Sequence, residues 1–389
     1  MAASSTEEFL KQCREYLSND RSSLRTCAQE LKISPTRFLD RIRQAYRDGL
    51  LVLRGKVDKD AGSAFTRHCL DRLHRYINTT VLDGEVDDET FAYESAGVIL
   101  RNVRELLENP PHAKERGAIS LGLVSGTSVC RAVEKIGGPL WDDVMAGLEV
   151  SEHIKAVNVL TLSITPLHGD DFIEGNASNA CSRLAAQLKA KLPRRGDRKV
   201  KVDAFGLGLT LVVPKDQLEH HDRDPLNKPV IEIADPERLA PEARSQLDLV
   251  VFGVGPAAGA DDSVFMRVIT DQGMTAPEGM CGDLAFFPLR ADGEVLDLKR
   301  KTHEPGAAGG SADESCVIYT AILPRTLKRL AEPEAKARVI LIARNHRRGK
   351  SAAKTGIISA ALGGGYVNAL ITDKPSVDQV SRRMFGEAV

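Results

Sequence analysis

The sequence predicts an α/β protein with a doubly wound, mainly parallel sheet and a small all-α domain at its N-terminus. Three observations carry this reading. From residue 118 onward, short apolar runs alternate with amphipathic stretches of helical period, the pattern of a parallel sheet covered on both faces. Residues 24–46 hold two short helical patterns joined by a tight turn. Between these regions, residues 56–63 (KVDKDAGS) are charged and small and read as a linker. The expected organisation is 1–55 as a helix-turn-helix domain, 56–117 as linker and helices packing on the larger domain, and 118–389 as the α/β domain.

Each element follows from its pattern. Residues 64–78 place Phe65, Cys69, Leu70, Leu73 and Ile77 at helical spacing, and a second helix over 92–108 stops at Asn109-Pro110-Pro111. Strands are expected at 118–125, 156–164, 209–213, 247–255, 338–343 and 367–372. Helices are expected at 127–137, 177–192, 263–272, 351–362 and 376–384. Residues 284–298 differ: Asp292-Gly293 between two apolar stretches predicts a hairpin. Residues 299–315, rich in Gly and Ala, read as a surface loop.

The bulk numbers exclude several classes. A net charge of −1 over 389 residues leaves no global field toward nucleic acid or anionic membrane, so any DNA contact needs a local basic patch. The seven cysteines form no Cys-x-x-Cys pair, which argues against a zinc ribbon or a redox motif and for a reducing compartment. The opening MAASSTEEFLKQC lacks an apolar core, unlike a signal peptide, and no apolar run reaches spanning length. A cytoplasmic location without membrane contact is expected. No metal site and no cofactor are expected; His220, His221, Asp222 and Asp224 read as a solvated polar loop.

In the N-terminal module, Leu24, Cys27, Ala28 and Leu31 share one helical face, and Ser34-Pro35 is an N-cap followed by proline at the first helical position. Phe38, Leu39, Ile42 and Ala45 or Tyr46 then point inward. The opposite face carries Thr36, Arg37, Arg41 and Arg43, with Arg47 one turn on. In a helix-turn-helix the second helix enters the major groove N-terminus first. Thr36 and Arg37 would then lie near base edges, and Arg41, Arg43 and Arg47 near phosphates. The competing reading is a helical hairpin used for protein contacts.

In the α/β region, Ser125, Gly126, Thr127 and Ser128 run from a strand into a helix, where backbone amides favour an anion. Gly349-Lys350-Ser351 resembles the end of a P-loop, but Arg344 stands where that motif needs glycine. What remains is a basic loop and a helix with Lys354 at its start, a cation that opposes the helix dipole unless an anion sits there. The Gly-rich turn at 252–259 lacks the dinucleotide spacing. Asp283 either accepts hydrogen bonds from sugar hydroxyls or caps a turn.

The order of these pieces resembles the SorC family of sugar-responsive transcriptional regulators. The resemblance rests on ELKISPTRFLDRIRQAYRDGLL (30–51), SLGLVSGTSVCRAV (120–133), NASNACSRLAAQL (176–188), DLVVFGVG (248–255), CGDLAFFPLRADGEV (281–295) and GIISAALGGGYVNALITDKPSVDQV (356–380). It implies a sugar-phosphate isomerase-like effector domain behind a DNA-reading head. By position it places a phosphate loop on Ser125, Gly126, Thr127 and Ser128, the phosphate-binding lysine on Lys354, the sugar-facing acid on Asp283, and Asn179 or Arg183 at the pocket border. It implies an operator DNA and a phosphorylated sugar effector as partners, and no catalytic residue. Because operators read by helix-turn-helix proteins match protein symmetry and one module buries little DNA surface, a homodimer or homotetramer is expected. The alternative is a sugar-phosphate isomerase or deaminase-like enzyme on the same fold, with His168, Asp170 and Asp283 as candidate bases.

Overall fold

The structure, a computed structural model, describes residues 9, 12–13, 24–38, 41, 45, 56–84, 86–163, 176–192, 199–208, 212–257, 263–299, 315–345 and 354–389. It divides into two compact units, Met1–Arg54 and Gly55–Val389.

In the first unit, α1 (Leu24–Glu30) ends in a Schellman motif. The Ile33 N–H donates to the Ala28 carbonyl at 3.0 Å and the Lys32 N–H to Gln29 at 2.9 Å. Lys32 takes φ 53°, a left-handed position where glycine is the usual residue and lysine gives no signal. Helix resumes at Pro35. Ser34 caps it as expected, its Oγ accepting the Arg37 N–H at 3.2 Å. Cys27, Ala28, Phe38 and Ala45 are buried together with Phe9 and Cys13, and the Phe9 and Phe38 rings meet edge to face at 5.9 Å. Leu31 is only half-buried. Leu39, Ile42, Tyr46 and the stretch 50–54 lie outside the described residues.

The second unit is built on a seven-stranded sheet. Its strands are β1 (Asn78–Leu82), β2 (Ala118–Leu123), β3 (Ala156–Thr161), β4 (Lys201–Phe205), β6 (Leu249–Phe252), β12 (Arg338–Ile342) and β13 (Ala369–Asp373). The order is β1-β13-β12-β6-β2-β3-β4, and every pairing is parallel. Alternate residues divide between two cores. Leu121, Leu123, Leu249, Val251, Ile340 and Ile342 face one; Val250, Phe252, Val339 and Leu341 face the other. That two-sided burial is why these strands read as continuous apolar runs.

The helices carried by this unit include α2 (Lys59–Leu73), α3 (Asp88–Glu108), α4 (Thr127–Glu134), α5 (Gly138–Val144), α6 (Ala177–Lys191), α7 (Leu218–Asp222), α8 (Lys228–Ala234), α9 (Val264–Asp271), α10 (Pro324–Leu330), α11 (Thr355–Gly363) and α12 (Lys374–Phe385). Two begin earlier than their apolar spacing predicts. Asp58 caps α2, accepting the Ala61 N–H at 2.9 Å, so the helix starts inside the charged segment 56–63. Asp87 caps α3, accepting the Thr90 N–H at 2.7 Å. Helix α2 also stops sooner, at Leu73, where His74 turns left-handed at φ 54°. Ile77 is therefore buried as the lead-in to β1, and Leu70 is turned to solvent.

Two small antiparallel sheets account for the remaining strands, β5 (Val212–Pro214), β7 (Val254–Pro256), β8 (Met280–Leu284), β9 (Phe287–Arg290), β10 (Leu298–Lys299) and β11 (Ser315–Ile318). The expected strand at 209–213 therefore does not extend the parallel sheet: its described part pairs antiparallel with β11. The run 247–255 breaks at Gly253 into β6 and β7. The apolar run 284–290 is likewise two strands. Ala285 and Phe286, at φ 50° and 70°, turn β8 back onto β9, so Asp283 lies within a strand. The turn expected at Asp292-Gly293 is present, with the Arg290 N–H donating to Glu294 at 2.8 Å. Residues 300–314 lie outside the described residues.

The segment around His220 is not a solvated loop. It forms α7, whose last residue, Asp222, is 2% exposed and pairs with the equally buried Arg238. Among the described residues no group of acidic, histidine or cysteine side chains is arranged to hold a metal, and no helix is long and apolar enough to cross a membrane. Burial pushes the thiols of Cys69, Cys130 and Cys181 up to about 12, and all three pack within the hydrophobic cores.

Candidate functional site

The winding of the sheet reverses between β2 and β6. From β2 the chain proceeds to β3 and β4 on one side; from β6 it proceeds to β12 and β13 on the other. In open α/β sheets the loops that leave such adjacent strands diverge and open a crevice beyond their C-terminal ends. A cavity of about 140 Å³ occupies that place. It is similar in size to a cavity of roughly 150 Å³ that encloses benzene, so it admits one small ring, with larger parts reaching the mouth.

Helices begin around this cavity. Thr127 and Ser128 open α4, Ser263 and Val264 open α9, Lys354 precedes α11, and Asp88 and Phe91 belong to the first turn of α3. Ser263 caps α9, accepting the Met266 N–H at 3.2 Å. Helices α4 and α11 begin without a side-chain cap. Thr127 and Ser128 stand at the cavity, where the first amides of α4 suit an anion; at α11 it is Lys354 that reaches the lining. Gly126 leaves open space where a side chain would stand.

The sequence therefore identified residues that the fold brings together. Ser125, Gly126, Thr127, Ser128, Asp283 and Lys354 all line this cavity. Ser125 is committed to the scaffold: its Oγ donates to the Ser163 carbonyl at 3.2 Å and accepts the Ala177 N–H at 3.3 Å. Asn179 and Arg183 are not at the cavity. They are exposed on α6, and Arg183 pairs with Glu134 at 3.6 Å. Residues 346–353, with Arg347, Arg348 and the Gly349-Lys350-Ser351 stretch, lie outside the described residues, as do His168 and Asp170.

Asp283 is the buried acid of the site. Its Oδ2 accepts the Phe286 N–H at 3.3 Å, while Oδ1 has no protein partner. Its neighbour across the strand pair is Gly255, where a Cβ would lie 1.9 Å from that Oδ1; only glycine fits. Burial pushes the Asp283 carboxyl from its ordinary 3.8 up to about 7, opposed by the Phe286 amide and by the charge of Lys354. A buried oxygen without a partner is costly, and a ligand hydroxyl would satisfy it. The raised value also fixes a sign. Between pH 4 and 7 the folded state holds a proton that the unfolded state releases, so stability falls as pH rises through that window and the cost is fully present above 7. Asp283→Asn is therefore expected to lessen that fall, by an upper bound of roughly 4 kcal/mol at pH 8. Urea denaturation of both proteins at pH 5 and pH 8 checks this; equal pH dependence would overturn it.

Several lining residues carried no signal in the sequence. Asp88 and Phe91 precede the predicted start of their helix. Nothing in the sequence marks Arg131, and Arg344 is marked only as the residue standing where a P-loop needs glycine. Arg131 donates to Asp88 Oδ2 at 3.0 Å, and Arg344 pairs with Asp88 Oδ1 and lies 5.0 Å over the Phe91 ring. Asn345 is bonded to the start of α11: its Oδ1 accepts the Lys354 N–H at 2.7 Å, and its Nδ2 donates to Thr355 at 2.7 Å. Gly253, Gly255 and Pro256 also line the cavity. Their position after β6, at the switch point, was the available clue.

In the first unit, Thr36, Arg37 and Arg41 are exposed after the turn, and the Arg41 guanidinium stacks 4.9 Å over the Phe9 ring. Arg43 and Arg47 lie outside the described residues.

The fold is thus a doubly wound α/β domain with a polar cavity at its switch point, accompanied by a small helical unit. No protein-family model matches the chain, and no curated protein sequence matches it significantly. Solved structures similar to it include the full-length sorbitol operon regulator SorC from Klebsiella pneumoniae, at 14% identity and a TM-score of 0.47, covering 95% of this chain and 97% of that one. A probable sor operon regulator from Shigella flexneri is 14% identical at a TM-score of 0.48, covering 82% and 98%. A DeoR family transcriptional regulator from Listeria monocytogenes is 11% identical at 0.47, covering 82% and 99%.

Proposed function

We propose that this chain is a cytoplasmic, sugar-phosphate-responsive regulator of the SorC type, which binds an operator through residues 1–55 and a phosphorylated sugar through the α/β domain, acting as a dimer or tetramer. The observation that carries this reading is the convergence on one cavity of uncapped α4 amides, Lys354 and the unsatisfied oxygen of Asp283. The first two suit a phosphate; the third suits a sugar hydroxyl. Regulation then needs the sugar phosphate to bind the DNA-bound and DNA-free forms with different affinity.

Thermal-shift measurement against phosphorylated sugars tests the ligand half, since a ligand bound only to the native state raises its apparent stability. Stabilisation by a phosphorylated sugar and not by its unphosphorylated parent is the expected result. Solvent-proton exchange at a sugar carbon would instead support the enzyme. For the DNA half, Arg37→Ala is expected to weaken operator binding and to lower the salt slope by about one unit for each phosphate the protein no longer neutralises. Arg41→Ala is expected to do the same and to lose about 0.5–1 kcal/mol of stability with its stacking on Phe9. Unchanged DNA affinity in both variants, measured by fluorescence anisotropy across a salt series, would overturn the DNA-reading role.

A further inference from the structure

Asp88 occupies the cavity in a manner the phosphate reading does not require. It stands in the first turn of α3, with one carboxylate oxygen paired to Arg131 at 3.0 Å and the other to Arg344. A carboxylate gripped on both oxygens by guanidinium groups occupies the kind of seat that a phosphate takes. The chain thus fills with its own acid a place where a second anionic group of a ligand could go. Both arginines line the same cavity as Lys354 and residues 125–128.

The charges of the lining lead to the same point. Among the described lining residues, Arg131, Arg344 and Lys354 stand against Asp88 and Asp283. Asp283, its carboxyl pushed up to about 7 by burial, carries only part of a charge near neutral pH, so the excess lies between about one and two positive charges, close to what one phosphate monoester brings, about −1.5 to −2 at pH 7. A bisphosphate would bring roughly twice that charge into a cavity already holding a carboxylate. It would have to break the two Asp88 ion pairs or lie against the carboxylate unpaired, and like charges brought together in a pocket discriminate against the wrong ligand.

We propose that Asp88 is a specificity-determining residue: by holding Arg131 and Arg344 it restricts the pocket to sugars with a single phosphate and rejects bisphosphates. This rests on the reading of the cavity as a sugar-phosphate site. Asp88→Asn removes the competing charge and lets both guanidinium groups turn to a second phosphate. Asp88→Glu retains the charge.

The test is isothermal titration of wild type, Asp88→Asn, Asp88→Glu and Lys354→Ala with hexose 6-phosphates and the matching hexose 1,6-bisphosphates. Wild type and Asp88→Glu are expected to favour the monophosphate by at least about tenfold. In Asp88→Asn the ratio is expected to move toward the bisphosphate by at least about tenfold, through tighter bisphosphate binding. A structural role alone would weaken both ligands together and leave the ratio in place. A wild type that binds both equally, or an Asp88→Asn protein with an unchanged ratio, overturns the role of Asp88. If the monophosphate still binds and weakens in Lys354→Ala, the sugar-phosphate reading survives that result. If wild type binds neither class, both proposals fall.

Discussion

Lys354→Ala and Thr127→Ala should each weaken a phosphorylated sugar by roughly ten- to a hundredfold. The figure comes from the cost of removing one charge-assisted hydrogen bond from a buried anion, about 1.5–3 kcal/mol. Both residues line the cavity at the switch point, one preceding α11 and the other opening α4. Because they would hold one phosphate, the double variant should lose less than the sum of the two. Unphosphorylated sugar should bind wild type poorly and scarcely respond to either change. Titration calorimetry on the four proteins decides: strict additivity would reject a shared phosphate, and unchanged affinity in both single variants would reject the phosphate site.

The second large effect concerns stability and lies in the segment whose histidines invite a metal reading. Arg238 donates to Asp222 Oδ2 at 2.8 Å and to the Thr320 carbonyl at 2.6 Å. The Tyr319 hydroxyl donates to Asp222 Oδ1 at 3.0 Å, and the guanidinium lies 5.2 Å from the centre of the Tyr319 ring. Burial pushes the Tyr319 phenol well above its usual range, and the Asp222 charge adds to that. Removing one partner of such a pair strands the other charge without water, so Arg238→Ala should destabilise by about 3–5 kcal/mol. Replacing both by apolar residues, Arg238→Leu with Asp222→Leu, should cost much less, because no charge is left buried. Urea unfolding of the single and double variants measures this. A single variant within about 1 kcal/mol of wild type would show that the pair adds little.

The parallel sheet was legible because burial on both faces leaves its strands as uninterrupted apolar runs, as at Leu249–Phe252. The Ser34-Pro35 cap was legible because capping is local chemistry. Ser125, Gly126, Thr127, Ser128 and Lys354, which line one cavity, were legible through what a strand end and a helix start do to an anion. What stayed hidden depends on distance along the chain or on unusual residues. Nothing near Asp88 announces that it meets Arg131 and Arg344. Lys32 ends a helix without glycine, and Val212 joins a separate sheet although its neighbourhood reads like any other strand. Asn179 and Arg183 fell on the exposed side of α6, where motif position alone carries no orientation.

The turn that joins β8 to β9 has a consequence for how this protein can change. Ala285 and Phe286 both hold positive φ, in a two-residue connection where Asn-Gly is the usual choice. Each left-handed non-glycine residue costs on the order of 1–3 kcal/mol. Both side chains are buried and line the cavity beside Asp283. A glycine pair would relax the backbone and strip a methyl and a phenyl group from the cavity wall. At these two positions backbone ease and the shape of the cavity wall therefore pull in opposite directions.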